Sequence, residues 1–168
     1  MIFKKHNNTL YNTLLTLSRN ILFYNKINLS DRFETRIYLM FMHFSIMMII
    51  SKNKGIKFDQ SSYDSLFNNI EYNIRELGYG DVSVNKKMKD YNKILYDILL
   101  KLQDPKFDEF KINKKLIFTY FSELESLEEE KYVFFEDYFL NFYNFCFELP
   151  LDSMIREAIN FKKSYGST

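Results

Sequence analysis

The chain has 168 residues, long enough for one domain with a full hydrophobic core, since a chain of this size buries about 70% of its unfolded surface. A single cysteine, Cys146, excludes an internal disulfide and leaves no sign of an oxidising compartment. The formal net charge of +1 hides an asymmetry: residues 1–119 carry 19 Lys and Arg against 12 Asp and Glu, and residues 120–168 carry 4 against 10, so a basic face and an acidic end are expected.

Lys, Asn, Ile, Phe and Tyr are used heavily, and their codons are A/T-rich, which accounts for the aromatic excess without any function. Met1-Ile2-Phe3-Lys4-Lys5 runs into Asn-rich sequence with no apolar signal core and no Arg-rich presequence, so neither export nor organelle import is expected. Helical periodicity recurs along the chain, period-2 alternation is absent, and Gly and Pro are scarce. The expected architecture is therefore all-α, one helical-bundle domain over residues 1–168 with about six or seven helices.

The first predicted helix covers Thr9 to Asn25, with Leu10, Leu14, Leu17, Ile21 and Leu22 on one face. The second starts near Ser30-Asp31, where Asp31 and Glu34 have capping-box spacing, and runs to about Lys52 before stopping at Gly55. Its run from Ile37 to Ile50 is apolar nearly all round; at 14 residues it falls short of the ~20 that a membrane span needs and reads as the central buried helix, with re-entrant insertion as the alternative. A third helix, about Ser62 to Leu77, carries Tyr63, Leu66, Phe67, Ile70, Ile74 and Leu77 on one stripe, with a Glu71 to Arg75 pair on the other side. The fourth spans roughly Ser83 to Leu102 and ends before Asp104-Pro105. Three more are expected over Ile112 to Ser126, Glu130 to Leu149 and Leu151 to Lys163, with Pro150 between the last two.

Local signatures of catalysis are missing: there is no HExxH, paired CxxC, Walker loop or GxSxG elbow, and Gly78-Tyr79-Gly80 joins two helices instead of following a strand. His6 and His43 fall in different predicted elements, so nothing points to a metal site. A binding protein without a catalytic centre, metal or cofactor is the expectation.

The informative segment is the corner between the third and fourth helices. Gly78 suits the left-handed residue that ends a helix, Gly80 permits a second sharp turn, and Asp81 or Ser83 can cap the fourth helix. Lys86, Lys87 and Lys89 then gather in the first turns of that helix, where the positive end of the dipole disfavours cations. Either the acids Glu76, Asp81 and Asp90 offset them, or the lysines form an anion-receptive patch for acidic side chains, lipid phosphates or ribosomal RNA.

At this corner Ile74-Arg75-Glu76-Leu77-Gly78-Tyr79-Gly80-Asp81-Val82, followed by Lys86-Lys87, resembles the ubiquinol-cytochrome c chaperone family, whose bacterial members carry a pattern like Leu-Arg-Glu-x-Gly-Val-Gly-Asp before a basic cluster. Asp31-Arg32-Phe33-Glu34 and the later His43 match a second stretch of that family, an Arg-Phe pair ahead of an apolar helix bearing a histidine, so the resemblance covers about Asp31 to Tyr96. Tyr79 stands where the family usually has a small aliphatic residue, and Asp97-Ile98 where many members have Gly-Arg.

The resemblance implies a non-enzymatic assembly factor for the cytochrome bc1 complex that binds newly made cytochrome b. It also implies peripheral membrane contact, work near the ribosome and a small co-chaperone, with no DNA partner. The corresponding location is the cytoplasmic side of the inner membrane of an A/T-rich bacterium, or the matrix side of a mitochondrion. The residues expected to meet partners are Arg32, Arg36, His43, Arg75, Glu76, Tyr79, Asp81, Lys86, Lys87 and Lys89, with Gly78 and Gly80 shaping the turn. His43 shares a helical face with Arg32 and Arg36, which is either a polar stripe for a partner or a buried histidine satisfied by a hydrogen bond. Phe134, Tyr143 and Phe147 fall off the core stripe of the Glu130 to Leu149 helix and either hold a client or pack internally. The alternative function is a basic helical module that binds ribosomal RNA or the ribosome surface through Lys86, Lys87, Lys89 and Lys93.

Overall fold

A computed structural model describes residues 9–165, and their side chains as far as residue 162; the N-terminal segment and His6 lie outside the described residues. Among the described residues the chain forms ten helical segments and no strand: α1 (Thr9–Ser18), α2 (Leu22–Asn25), α3 (Phe33–Asn53), α4 (Gln60–Glu76), α5 (Asp81–Lys101), α6 (Lys114–Tyr120), α7 (Glu123–Ser126), α8 (Glu129–Phe147), α9 (Met154–Glu157) and α10 (Asn160–Tyr165). The all-α expectation holds. The count exceeds seven because three predicted helices are each broken in two.

The breaks have local causes. At the first, Asn20 is buried and its side-chain oxygen accepts the Leu22 amide at 3.2 Å, starting α2 afresh and leaving Ile21 outside the core instead of on the predicted apolar face. At the second, Phe121 leaves helical geometry (φ −125°, ψ 60°) and turns its ring into the core, 5.0 Å from Phe135. The third falls at Ala158, a fully buried residue that leads into α10.

The central element is α3, which packs against α1, α5 and α8. Its Leu39, Phe41, Phe44, Ile46, Met47 and Ile50 are fully or almost fully buried, as an all-round apolar sequence requires. The helix is longer than its apolar run: at 21 residues it is long and apolar enough to cross a membrane, yet 72% of its most apolar window is buried by its own neighbours. It ends at Gly55, whose φ of 75° is the left-handed turn expected there; Gly55 N–H donates to Lys52 O at 3.0 Å and Ile56 N–H to Ser51 O at 2.9 Å, the paired bonds that close a helix.

The capping box at the start of α3 does not form. Ser30 is drawn away, its amide and hydroxyl both donating to Glu123 Oε2 at 2.9 and 2.7 Å, and Asp31 is held by Arg36, whose Nε and second guanidinium nitrogen lie 2.9 and 2.7 Å from Oδ1. The residue before the helix is Arg32, without a side-chain cap bond. In contrast, Asp59 caps α4 by accepting the Ser61 amide and hydroxyl, and these bonds hold its carboxyl below the usual range.

After α5 the chain makes a pinned loop: Asp104 N–H donates to Lys111 O at 2.7 Å and Asn113 N–H to Leu102 O at 2.9 Å. Asn113 then caps α6. Phe110, from this loop, stacks flat on Tyr143 of α8, with centroids 4.1 Å apart and 4° between planes. Tyr143 stacks in turn on Phe147, and the Lys54 ammonium sits over the Phe147 ring at 4.7 Å. Tyr143 and Phe147 are therefore engaged at a seam within the molecule, and Phe134 packs against the core.

Candidate functional site

The α4–α5 corner is built by two glycines with different jobs. Gly78 has φ 98°, a conformation that strains any residue with a Cβ, and it lets the chain leave α4 immediately after Leu77. Gly80 is extended (φ −79°, ψ 170°) and sits at the N-cap of α5, where the chain turns into that helix without a left-handed residue. Neither Asp81 nor Ser83 caps the helix: α5 already begins at Asp81, and the Asp81 carboxylate is engaged by the Arg75 guanidinium. Arg75 also reaches Glu71 at 3.5 Å, so one cation ties the last turn of α4 to the first residue of α5 across the corner.

Of the three lysines beyond the turn, Lys87 is accounted for. Its ammonium lies 4.6 Å from the centre of the Tyr79 ring, a cation–π contact available only because an aromatic stands at position 79. Lys86 and Lys89 are exposed, and neither joins an ion pair among the described residues. Asp81, expected to offset them, is committed to Arg75. Around the turn, Leu77, Tyr79 and Val82 are 57%, 44% and 85% exposed. Leu77 thus leaves the apolar stripe on which its spacing places it, because the helix ends at Glu76 and the chain turns outward.

Arg36 and Glu76 line one cleft of about 230 Å³, together with Leu77 and with Arg19, the residue after α1. Arg32 is exposed at the start of α3. His43 does not join them. It is wholly buried three turns into α3, with Nδ1–H donating to Leu39 O at 2.7 Å and Nε2 accepting from the Tyr138 hydroxyl at 2.8 Å. Burial pushes its pKa down to about 3, so the ring is neutral, closed to partners and set within aromatic neighbours of α8. Its place as a partner-binding residue is corrected to a core position.

A larger cleft escaped the sequence reading. At the far end of α5 an open groove of about 690 Å³ runs between the end of α3, the connection between α3 and α4, and the last turns of α5. Met48, Ile49, Phe58, Leu99 and Pro105 line it, Ile56 and Leu100 stand at its mouth, and Lys52 and Lys57 are the charged residues of its lining. The signal available in the sequence was Ile56 and Leu100 lying off any helical stripe, which is too weak to read alone.

The model of the ubiquinol-cytochrome C chaperone family matches residues 25–114, more than half of the chain and more than the stretch from Asp31 to Tyr96 that carries the motifs. The chain belongs to the ubiquinol-cytochrome C chaperone family. No curated protein and no solved structure matches it. Membership gives this chaperone a role in the biogenesis of the bc1 complex. The matched stretch contains α3, α4, α5 and the pinned loop, so the corner and the whole groove are family territory, whereas α8, which supplies the partner of His43, is not. The family departure at Asp97 also has a structural use: Asp97 pairs with Lys101 at 2.6 Å and accepts a hydrogen bond from the Tyr120 hydroxyl, joining α5 to α6.

Proposed function

We propose that this chain is a non-enzymatic assembly factor, acting as one domain, that holds newly made cytochrome b before it enters the bc1 complex. It works from the cytoplasmic side of the inner membrane as a peripheral protein, or from the matrix side in a mitochondrion. The observation that carries the reading is the exposed apolar corner inside the family-matched stretch: Leu77 and Val82 are largely exposed, Tyr79 is exposed beneath Lys87, and Lys86 and Lys89 follow on α5 outside any ion pair among the described residues. An apolar patch with a basic rim suits a hydrophobic client that carries acidic or lipid-facing edges.

Deletion of the gene, followed by reduced-minus-oxidised spectra of cytochromes b and c1, tests the proposal. Loss of both is expected; unchanged bc1 content refutes it.

A second reading, contact with the ribosome, is favoured by Lys86, Lys89 and Lys93, which are exposed on α5 and outside any ion pair among the described residues. It requires affinity for ribosomes that falls steeply with salt and is lost on reversing these charges.

A further inference from the structure

The groove at the C-terminal ends of α3 and α5 lies at the opposite end of α5 from the corner, ~27 Å away by the rise of the helix from Asp81 to Leu99. It is a separate surface with its own chemistry. We infer that it docks an amphipathic helical segment of a partner protein, one whose apolar face enters the groove and whose edge carries carboxylates that meet Lys52 and Lys57.

The shape comes first. The groove is bounded on one side by α3 and the connection from Lys54 to Phe58, and on the other by the end of α5 with Pro105. Ile56 on the first wall is 50% exposed and Leu100 on the second is 80% exposed, while Met48, Phe58 and Leu99 below them are half-buried. A trough with apolar walls and a volume of about 690 Å³ has room for several side chains from one face of a helix, the spacing at which an amphipathic helix presents its anchors.

Charge selects the occupant. Lys52 and Lys57 are exposed, and neither is in an ion pair among the described residues. No carboxylate lines the groove, so the complementary edge is acidic. A membrane surface fits less well. The cleft next door shares Asn53 and Gln103 with the groove and is lined by Asp108, Glu109 and Glu148 against the single cation Lys111, which pairs with Glu109, so it is acidic on balance and disfavours an anionic bilayer brought up to this end. A narrow protein segment reaches the lysines without meeting those acids.

The inference rests on the assembly-factor reading only in taking the occupant to be protein. The test uses the full chain and three synthetic helical peptides that share one leucine-rich face and differ in their edge residues, which are Glu, Gln or Lys. Titration by fluorescence anisotropy at low salt is expected to rank them Glu, Gln, Lys, with at least tenfold between the extremes. Lys52→Glu with Lys57→Glu is expected to reverse that order. Lys115→Glu with Arg156→Glu, which changes net charge equally at exposed positions outside the groove lining, leaves it intact. Leu100→Asp is expected to weaken all three peptides tenfold or more, and its exposure makes misfolding a remote explanation, which circular dichroism checks.

Equal binding of the three peptides, or an order unaffected by the Lys52 and Lys57 reversals, overturns the inference. So does sedimentation with vesicles of phosphatidylglycerol and phosphatidylcholine that depends on Lys52 and Lys57 while peptide preference does not. Spectra of the deletion strain report separately on bc1 assembly, so failure of that role and failure of the groove are told apart.

Discussion

The Tyr138 hydroxyl and the His43 Nε2 lie 2.8 Å apart across the contact between α8 and α3, and the bond fixes the histidine as the Nδ1–H tautomer because its other nitrogen must donate to the Leu39 carbonyl. Both residues are fully buried. Tyr138→Phe keeps the ring and removes the donor, leaving Nε2 in the core with an unmet acceptor. Destabilisation of about 1–3 kcal/mol is expected, read as a lower midpoint in urea with an unchanged slope.

The same histidine makes stability depend on pH. Its folded pKa, about 3, is below the 6.5 of an unperturbed imidazole, so between those values the unfolded chain takes up a proton that the folded chain refuses. The contribution is fully present above pH 6.5 and is lost as pH falls from there toward 3, at up to about 1.4 kcal/mol per pH unit. Unfolding midpoints measured from pH 7 to 4.5 should fall in the natural protein, and His43→Leu should flatten that slope by close to one proton.

At the corner the two glycines should separate cleanly. Gly78→Ala places a Cβ on a left-handed residue that no neighbour crowds, so the penalty is conformational and about 1–2 kcal/mol. Gly80→Ser gives an extended N-cap residue a side chain that can accept an amide of the first turn, and a gain of a few tenths of a kcal/mol is expected. Thermal unfolding of the two variants checks both signs.

Function at the corner should be separable from stability. Leu77→Asp and Val82→Asp alter exposed side chains, so each should shift stability by no more than about 0.5 kcal/mol. Cells carrying both substitutions should nevertheless lose most of their bc1 complex, measured as cytochrome b and c1 absorbance, with the chaperone present at normal abundance.

Much of this was legible in the sequence because it rests on local rules. The all-round apolar run marked α3 as central, and Gly55 and Gly78 marked two helix ends through a conformation that few other residues accept. The corner was legible as a motif, and its Tyr79 departure gained a role only when the Lys87 contact was seen. The features that escaped depend on distant residues. Ser30 and Asp31 look like the start of a helix until Glu123 and Arg36 are known to hold them. His43 falls in line with Arg32 and Arg36, but the face that is open at the start of α3 is covered two or three turns later by α8, and periodicity carries no information on where a neighbour begins. The breaks at Asn20 and Phe121 likewise come from burial of those side chains, not from Gly or Pro.

The covering of α3 also has an order in time. Tyr138 comes 95 residues after His43, and at about 5–20 residues per second a ribosome takes roughly 5–20 s to make that stretch. During this interval the chain carries a 21-residue helix of membrane-spanning length and composition that lacks the aromatic wall later supplied by α8. A protein that assists the birth of a membrane complex thus passes through a stage at which it resembles a membrane protein itself, and α4, which lays Phe67 on Phe41, and α5 are the long helices made in time to shelter it.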